Sequence, residues 1–178
     1  MSKKVLIISA SPRKQGNSDL LCDEFIKGAT ASGHQVQKVY LKDQHINYCT
    51  GCGYCYHHNG CSQKDDMASI KEQLLAADVI VLATPIYFYT MARQLKTFID
   101  RHCSFYTQVK DKEFYYIMTA ADHNPSAMKR TIEEFRGYLD CLNHPTEKGI
   151  IYGVGVWNKG DVKQTGAMQE AYRMGAQV

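Results

Sequence analysis

Long apolar runs are missing from this sequence. The longest, Val79 to Ala83, falls far short of the ~20 residues that a membrane-spanning helix needs. A large charge excess of one sign is missing as well. The 21 Lys and Arg stand against 18 Asp and Glu, and a net charge of +3 leaves no electrostatic footprint for nucleic acid or a membrane surface. Internal repeats, linkers and low-complexity stretches are also lacking. The opening Lys3-Lys4 before Val5-Leu6-Ile7-Ile8 has the outline of an export signal. Its apolar part is shorter than the ~7–15 residues of such a signal, and Pro12 and Arg13 follow at once, so the expected location is cytoplasmic. What remains, 44% apolar and 22% charged over 178 residues, is an ordinary globular composition for one domain, 1–178. A chain of this size buries enough surface to need no covalent staple.

Cysteine, by contrast, is plentiful. Seven is an odd number, and without an export signal a disulfide framework is not expected. Cys22, Cys103 and Cys141 are scattered and read as small apolar groups. Cys49, Cys52, Cys55 and Cys61 are crowded into a loop, 43–64, that is rich in Cys, Gly, His and Asn.

Around that loop the pattern is regular. Val5 to Ile8 is a short, wholly apolar run, as in a strand buried on both faces of a parallel sheet. Asn17 or Ser18 can cap a helix running to about Ala31, with Leu21, Phe25 and Ala29 on one face. Gln35 to Leu41 alternates as a second strand. Asp65 or Asp66 caps a helix carrying Met67, Ile70 and Leu74. Asp78 to Ala83 reads as a third strand, followed by the helical stripe Met91, Leu95, Phe98 and Ile99. Glu113 to Thr119 is the fourth strand. Asn124-Pro125 opens a helix with Met128, Ile132, Phe135, Leu139 and Leu142 inward. Gly149 to Gly155 is the fifth strand, and a helix near 165–174 ends at Gly175. Alternating strands and helices require a parallel sheet covered on both faces. The expectation is an α/β, three-layer sandwich with a five-stranded parallel sheet in the flavodoxin-like order 2-1-3-4-5, its ligand beside the first and third strands.

Three turns on that rim carry chemistry. Ser9-Ala-Ser11-Pro-Arg13-Lys-Gln-Gly16-Asn17-Ser18 joins the first strand to the first helix. Free N–H groups, hydroxyls and a guanidinium at a positive helix end suit a phosphate monoester. An ordinary polar turn would look similar. Neither Walker A nor G-x-G-x-x-G spacing is present. Thr84-Pro85-Ile86-Tyr87-Phe88-Tyr89-Thr90-Met91 follows the third strand, where Pro85 should end the ladder and leave later N–H groups free. Its aromatics fit a flat ring, or equally a core or subunit contact. Met118-Thr119-Ala120-Ala121 after the fourth strand is small enough to let a planar ligand reach the backbone.

Ser-Pro-Arg with Gly-Asn-Ser at 11–18, Thr-Pro-Ile-Tyr-Phe at 84–88 and Gln-Leu-Lys-Thr-Phe-Ile-Asp-Arg at 94–101 resemble the NADPH-dependent FMN reductase family, which includes iron-sulfur flavoproteins. The resemblance runs from Val5 to about Asp122. It implies that Ser9, Ser11, Arg13, Asn17 and Ser18 hold the FMN phosphate. Pro85, Ile86, Tyr87 and Phe88, with Thr119, Ala120 and Ala121, would hold the isoalloxazine ring. Many relatives have glycine where this chain has Tyr89, which bears on how open the flavin edge is. The implied activity is NAD(P)H oxidation through FMN to a quinone, flavin or similar small acceptor. No side-chain acid or base is needed for the hydride step, so no catalytic residue is assigned, and His123 is a rim residue.

The spacing Cys49-x2-Cys52-x2-Cys55-x5-Cys61 leaves three readings. It resembles the [4Fe–4S] motif of the iron-sulfur flavoproteins, and differs from the ferredoxin run in its last spacer. Zinc could use the same sulfurs, with His57 or His58. Metal-free thiols near the flavin are the third reading. An electron carrier exchanging with a ferredoxin-like protein is therefore the alternative function, and a flavin-binding redox sensor a third. The family also implies a homodimer or tetramer, for which residues 86–89 and Phe105-Tyr106 are candidate contacts.

Overall fold

The computed structural model describes residues 1–178. Its centre is a sheet of β1 (Lys4–Ser9), β2 (Gln35–Tyr40), β3 (Val79–Tyr87), β5 (Glu113–Thr119) and β6 (Thr146–Gly153), all parallel, in the order β2-β1-β3-β5-β6. These five long strands have the expected 2-1-3-4-5 winding. A short sixth, β4 (Thr90–Met91), pairs antiparallel with the end of β3. The helices are α1 (Asn17–Ala31), α2 (Tyr54–His57), α3 (Met67–Ala76), α4 (Arg93–Asp100), α5 (Lys129–Leu139) and α6 (Ala167–Ala176).

Side-chain alternation along each strand divides the core in two. Val5 and Ile7 of β1, Val79 and Val81 of β3, and Tyr115 and Ile117 of β5 face α1 and α6, against Leu21, Phe25, Ala29 and Ala171. Leu6 and Ile8, Ile80 and Leu82, and Phe114, Tyr116 and Met118 face the other way, onto Ile70, Leu74, Leu95, Phe98, Ile132 and Phe135. Burial on both faces is why β1 and β3 read as unbroken apolar runs. β2 is an edge strand, and its exposed positions alternate.

Four local expectations are corrected. Gly16, rather than Asn17 or Ser18, stands at the N-cap of α1, and no side chain caps it. α6 does not stop at Gly175. A Cβ there would collide with the Phe25 carbonyl, and one at Gly28 with that of Tyr172, so both glycines serve a close α1–α6 crossing. β6 starts at Thr146, three residues early, with a register shift between Glu147 and Gly149 that a polar stretch conceals. β3 continues past Pro85 because Ile86 and Tyr87 turn to a different partner, Met91 and Thr90. No helix is long and apolar enough to cross a membrane.

Candidate functional site

A cavity of about 560 Å³ opens at the carboxyl ends of β1, β3 and β5. Volumes of ~300–1,000 Å³ are usual for small-molecule and cofactor sites. Its wall joins the three turns: Ser11 to Ser18, Pro85 to Tyr89, and Thr119 to Asp122. Eleven of the twelve expected cofactor residues line it. Ser9 does not. It continues the β1 face of Val5 and Ile7, and its buried hydroxyl finds no partner.

The first turn is built tightly. The Ser11 hydroxyl donates to the Arg13 carbonyl at 2.7 Å and accepts from the Arg13 N–H at 3.3 Å. Gly16 lies over this closure, where a Cβ would sit 2.9 Å from the Arg13 oxygen. Buried Asp19 accepts from the Gln15 N–H at 2.6 Å and from Lys38 Nζ at 2.7 Å, which braces the turn against β2. Burial alone would push the Lys38 ammonium pKa down. Its hydrogen bonds to Asp19 and Asp23 win, and the net shift is upward. The N–H groups of Asn17, Ser18 and Asp19 keep the free donors of a first helical turn, with no backbone acceptor. Arg13 is exposed at the cavity and enters no ion pair, whereas its neighbour Lys14 is held by Asp43 at 2.8 Å.

Asn17 also ties the first turn to a distant loop. Its side-chain amide donates to the carbonyls of Val156 (3.3 Å) and Asn158 (2.9 Å), and its Oδ1 accepts from the N–H groups of Gly160 and Val162. One side chain thereby fastens the 156–162 loop and sets Val156 and Trp157 in the cavity wall. Trp157, three-quarters exposed, is the chain's single tryptophan. No motif drew attention to it; the lone Trp in a Gly-flanked segment was the available signal.

The second turn is a hairpin. Phe88 and Tyr89 have φ of 50° and 65°, left-handed values usually left to Asn and Gly in two-residue hairpins. The hairpin is over-determined around them. Thr84 Oγ1 accepts from the Ala92 N–H at 2.9 Å, and Glu134 of α5 accepts from Thr90 Oγ1 at 2.6 Å and from the Met91 N–H at 3.4 Å. The outcome is an aromatic lip, with Phe88 98% exposed and Tyr87 and Tyr89 partly so. Strained backbone held by its surroundings is typical of functional sites. The third turn is zipped to the end of β6 and the residues after it: the Ala120 N–H donates to the Gly153 carbonyl at 2.8 Å, and the Val156 and Gly155 N–H groups donate back to the carbonyls of Ala120 and Asp122. The Ala121 N–H has no backbone acceptor. His123 packs on Gly155 and stays out of the cavity wall.

The cysteine loop is anchored at its ends. Arg101 donates to Asp65 through Nη1 (2.6 Å) and Nη2 (3.1 Å), and to the Asn47 carbonyl at 2.8 Å, with both charged groups essentially buried. Burial would raise the Asp65 pKa, but Arg101 and the N–H groups of Asn47 and Met67 hold it below the usual carboxylate range. The loop interior is different. Cys49 and Cys52 are exposed, Cys52 Sγ lies 3.6 Å from Ser62 Oγ, and Cys55 Sγ faces Cys103 at 4.0 Å. No three His, Cys, Asp or Glu side chains are grouped as a metal site. The donors suit an iron–sulfur cluster in kind but are not gathered for one.

The class follows from position: flavodoxin-like α/β proteins bind their nucleotide outside the strand ends where the winding reverses, and the cavity opens there, beside β1 and β3. The chain belongs to the NADPH-dependent FMN reductase family, whose model matches residues 3–148. An iron-sulfur flavoprotein of Archaeoglobus fulgidus is 43% identical over 98 residues, 55% of this chain and 44% of that protein. A Bacillus subtilis protein, provisionally named an NAD(P)H-dependent FMN-containing oxidoreductase, is 26% identical over 162 residues, 85% of each chain. The chain spans about half the length of the iron-sulfur flavoproteins it matches. In fold it is similar to an NAD(P)H:quinone oxidoreductase from Methanothermobacter marburgensis, at a TM-score of 0.78 and 17% identity over 99% of this chain and 97% of the other.

Proposed function

We propose that this chain is an FMN-dependent NAD(P)H oxidoreductase acting on a quinone, a flavin or a similar small acceptor. The observation that carries the reading is the polarity of one cavity, with free N–H donors and an unpaired guanidinium at one end and an aromatic lip at the other. FMN, when bound, supplies hydride acceptance from the nicotinamide and delivery to the acceptor. The residues bind and orient. The N–H groups of Asn17, Ser18 and Asp19, the Ser18 hydroxyl and Arg13 meet the phosphate. Pro85 to Phe88 and Thr119 to Ala121 flank the ring, and the Ala121 N–H is free to donate toward charge that develops there. Trp157 and the hairpin aromatics keep water from the ring edge. A second copy of the chain against the exposed 87–89 lip would complete a homodimer or tetramer.

Titration with FMN, followed by flavin fluorescence, should show saturable binding, and the loaded protein should then oxidise NADPH when a quinone is present. Binding without turnover would leave a sensor; no binding would defeat the proposal.

The second reading, an electron carrier with a [4Fe–4S] cluster on Cys49, Cys52, Cys55 and Cys61 and a ferredoxin-like partner, is favoured by the cysteine spacing and by the relatives' names. Iron and acid-labile sulfide in protein purified without oxygen would support it. Their absence would leave the reductase.

A further inference from the structure

Cys103 belongs to none of the motifs, yet its sulfur faces a loop cysteine. It lies in the 3-10 turn 101–104 that follows α4, and the short helix α2 brings Cys55 to face it, Sγ to Sγ, at 4.0 Å. A disulfide bond is about 2.05 Å long, so the two atoms need to close by only about 2 Å. α2 is a single turn with no buried residue, so no core packing opposes that move. The turn carrying Cys103 is fixed, because its neighbours Arg101 and His102 are buried, one in the ion pair with Asp65 and the other among Phe98, Phe105 and Tyr138. Both thiols are free and partly accessible to a small reagent.

We infer that Cys55 and Cys103 are a redox dithiol that exchanges with low-molecular-weight disulfides. One thiolate attacks the small disulfide, forming a mixed disulfide and expelling one small thiol. The second thiolate attacks the protein sulfur of that intermediate and expels the other. Two protein thiols are oxidised, one small disulfide is reduced to two thiols, and the two protons pass to the leaving groups. The product staples the middle of the cysteine loop to the body of the domain, beyond the Arg101–Asp65 anchor at its end. It also removes Cys55 from the set Cys49, Cys52, Cys55 and Cys61, so an oxidised chain cannot offer all four sulfurs to a metal.

The test is to equilibrate the full chain, purified under reducing conditions, with graded ratios of reduced to oxidised glutathione without oxygen. Remaining thiols are then alkylated and linked peptides sequenced by mass spectrometry. The expected result is a link between Cys55 and Cys103, glutathione at most on the exposed Cys49, Cys52 and Cys141, and full reversal by dithiothreitol. Cys103→Ser should abolish the link and leave Cys55 carrying glutathione, while Cys141→Ser should leave the link unchanged. Links confined to Cys49, Cys52, Cys55 and Cys61, or a Cys55–Cys103 link that forms only in urea, would overturn the proposal. So would both thiols remaining alkylatable at the most oxidising ratio. The wild-type peptide map decides the matter even if a variant folds poorly.

Discussion

The cavity rim and the cysteine loop are both turns rich in polar and small residues, and the structure treats them in opposite ways. In the rim, side chains close each turn on itself or tie it to another element. Ser11 closes on Arg13, Asp19 holds Gln15, Asn17 ties down residues 156–162, and Glu134 grips the 84–92 hairpin. In the loop the fixing is at the ends, through Asp65, Asp66 and Arg101, and residues 49–60 contribute no buried side chain. A site for a rigid, planar ligand needs a wall in place beforehand, because a 1 Å misplacement is costly. A loop whose thiols are to change partners needs the reverse.

The comparison can be broken most sharply at the anchor. Arg101→Ala strands the buried Asp65 carboxylate and should lower the unfolding free energy by about 3–5 kcal/mol, measured in urea at neutral pH. Replacing both partners, Arg101→Met with Asp65→Leu, should recover most of that loss. A small effect of the single change would mean that the loop is held by something other than this pair.

The turn beneath the loop makes a pH prediction. Burial among aromatic rings pushes the His102 pKa down to about 4, with the contact to the Ile99 carbonyl acting weakly against it. The unfolded imidazole, with its ordinary value of 6.5, binds the proton more tightly than the folded one. Stability from this residue is therefore complete above about pH 6.5 and falls as pH drops toward 4, by about 3 kcal/mol in all. Urea midpoints over that range should flatten in His102→Leu relative to wild type. Parallel profiles would show that His102 is already charged or exposed.

On the rim the expected effect is in affinity rather than stability. Arg13 is exposed and unpaired, so Arg13→Ala should leave the unfolding midpoint within about 0.5 kcal/mol of wild type. It should also weaken FMN by about 1.5–3 kcal/mol in a fluorescence titration. Unchanged affinity would remove Arg13 from the phosphate site and leave the backbone donors alone there.

Legibility differed between the regions for physical reasons. Sheet order, helix faces and the three turns were readable because each rests on local periodicity or on residue types grouped within a few positions. Asn124 with Pro125 is a clear case: the side chain accepts from the Ser126 N–H at 2.9 Å, as an N-cap should. The turn that holds Asn17 was legible, but the second role of its side chain was not, since those partners lie about 140 residues away. Trp157 and Glu134 were missed for the same reason. Pro85 predicts a strand end because its lost N–H is a local fact, whereas the antiparallel partner that carries β3 onward is not.

Taken alone, the order of residues determined the doubly covered sheet, the place of the cavity at its reversal point and the family to which the chain belongs. All of these follow from hydrophobic period and short motifs. Only the folded chain decided which groups remain free. Whether a hydroxyl, an amide or a thiol can meet a ligand depends on which distant backbone or sulfur reaches it first. That is how the Asn17 amide came to be committed to a loop and Cys55 set facing Cys103.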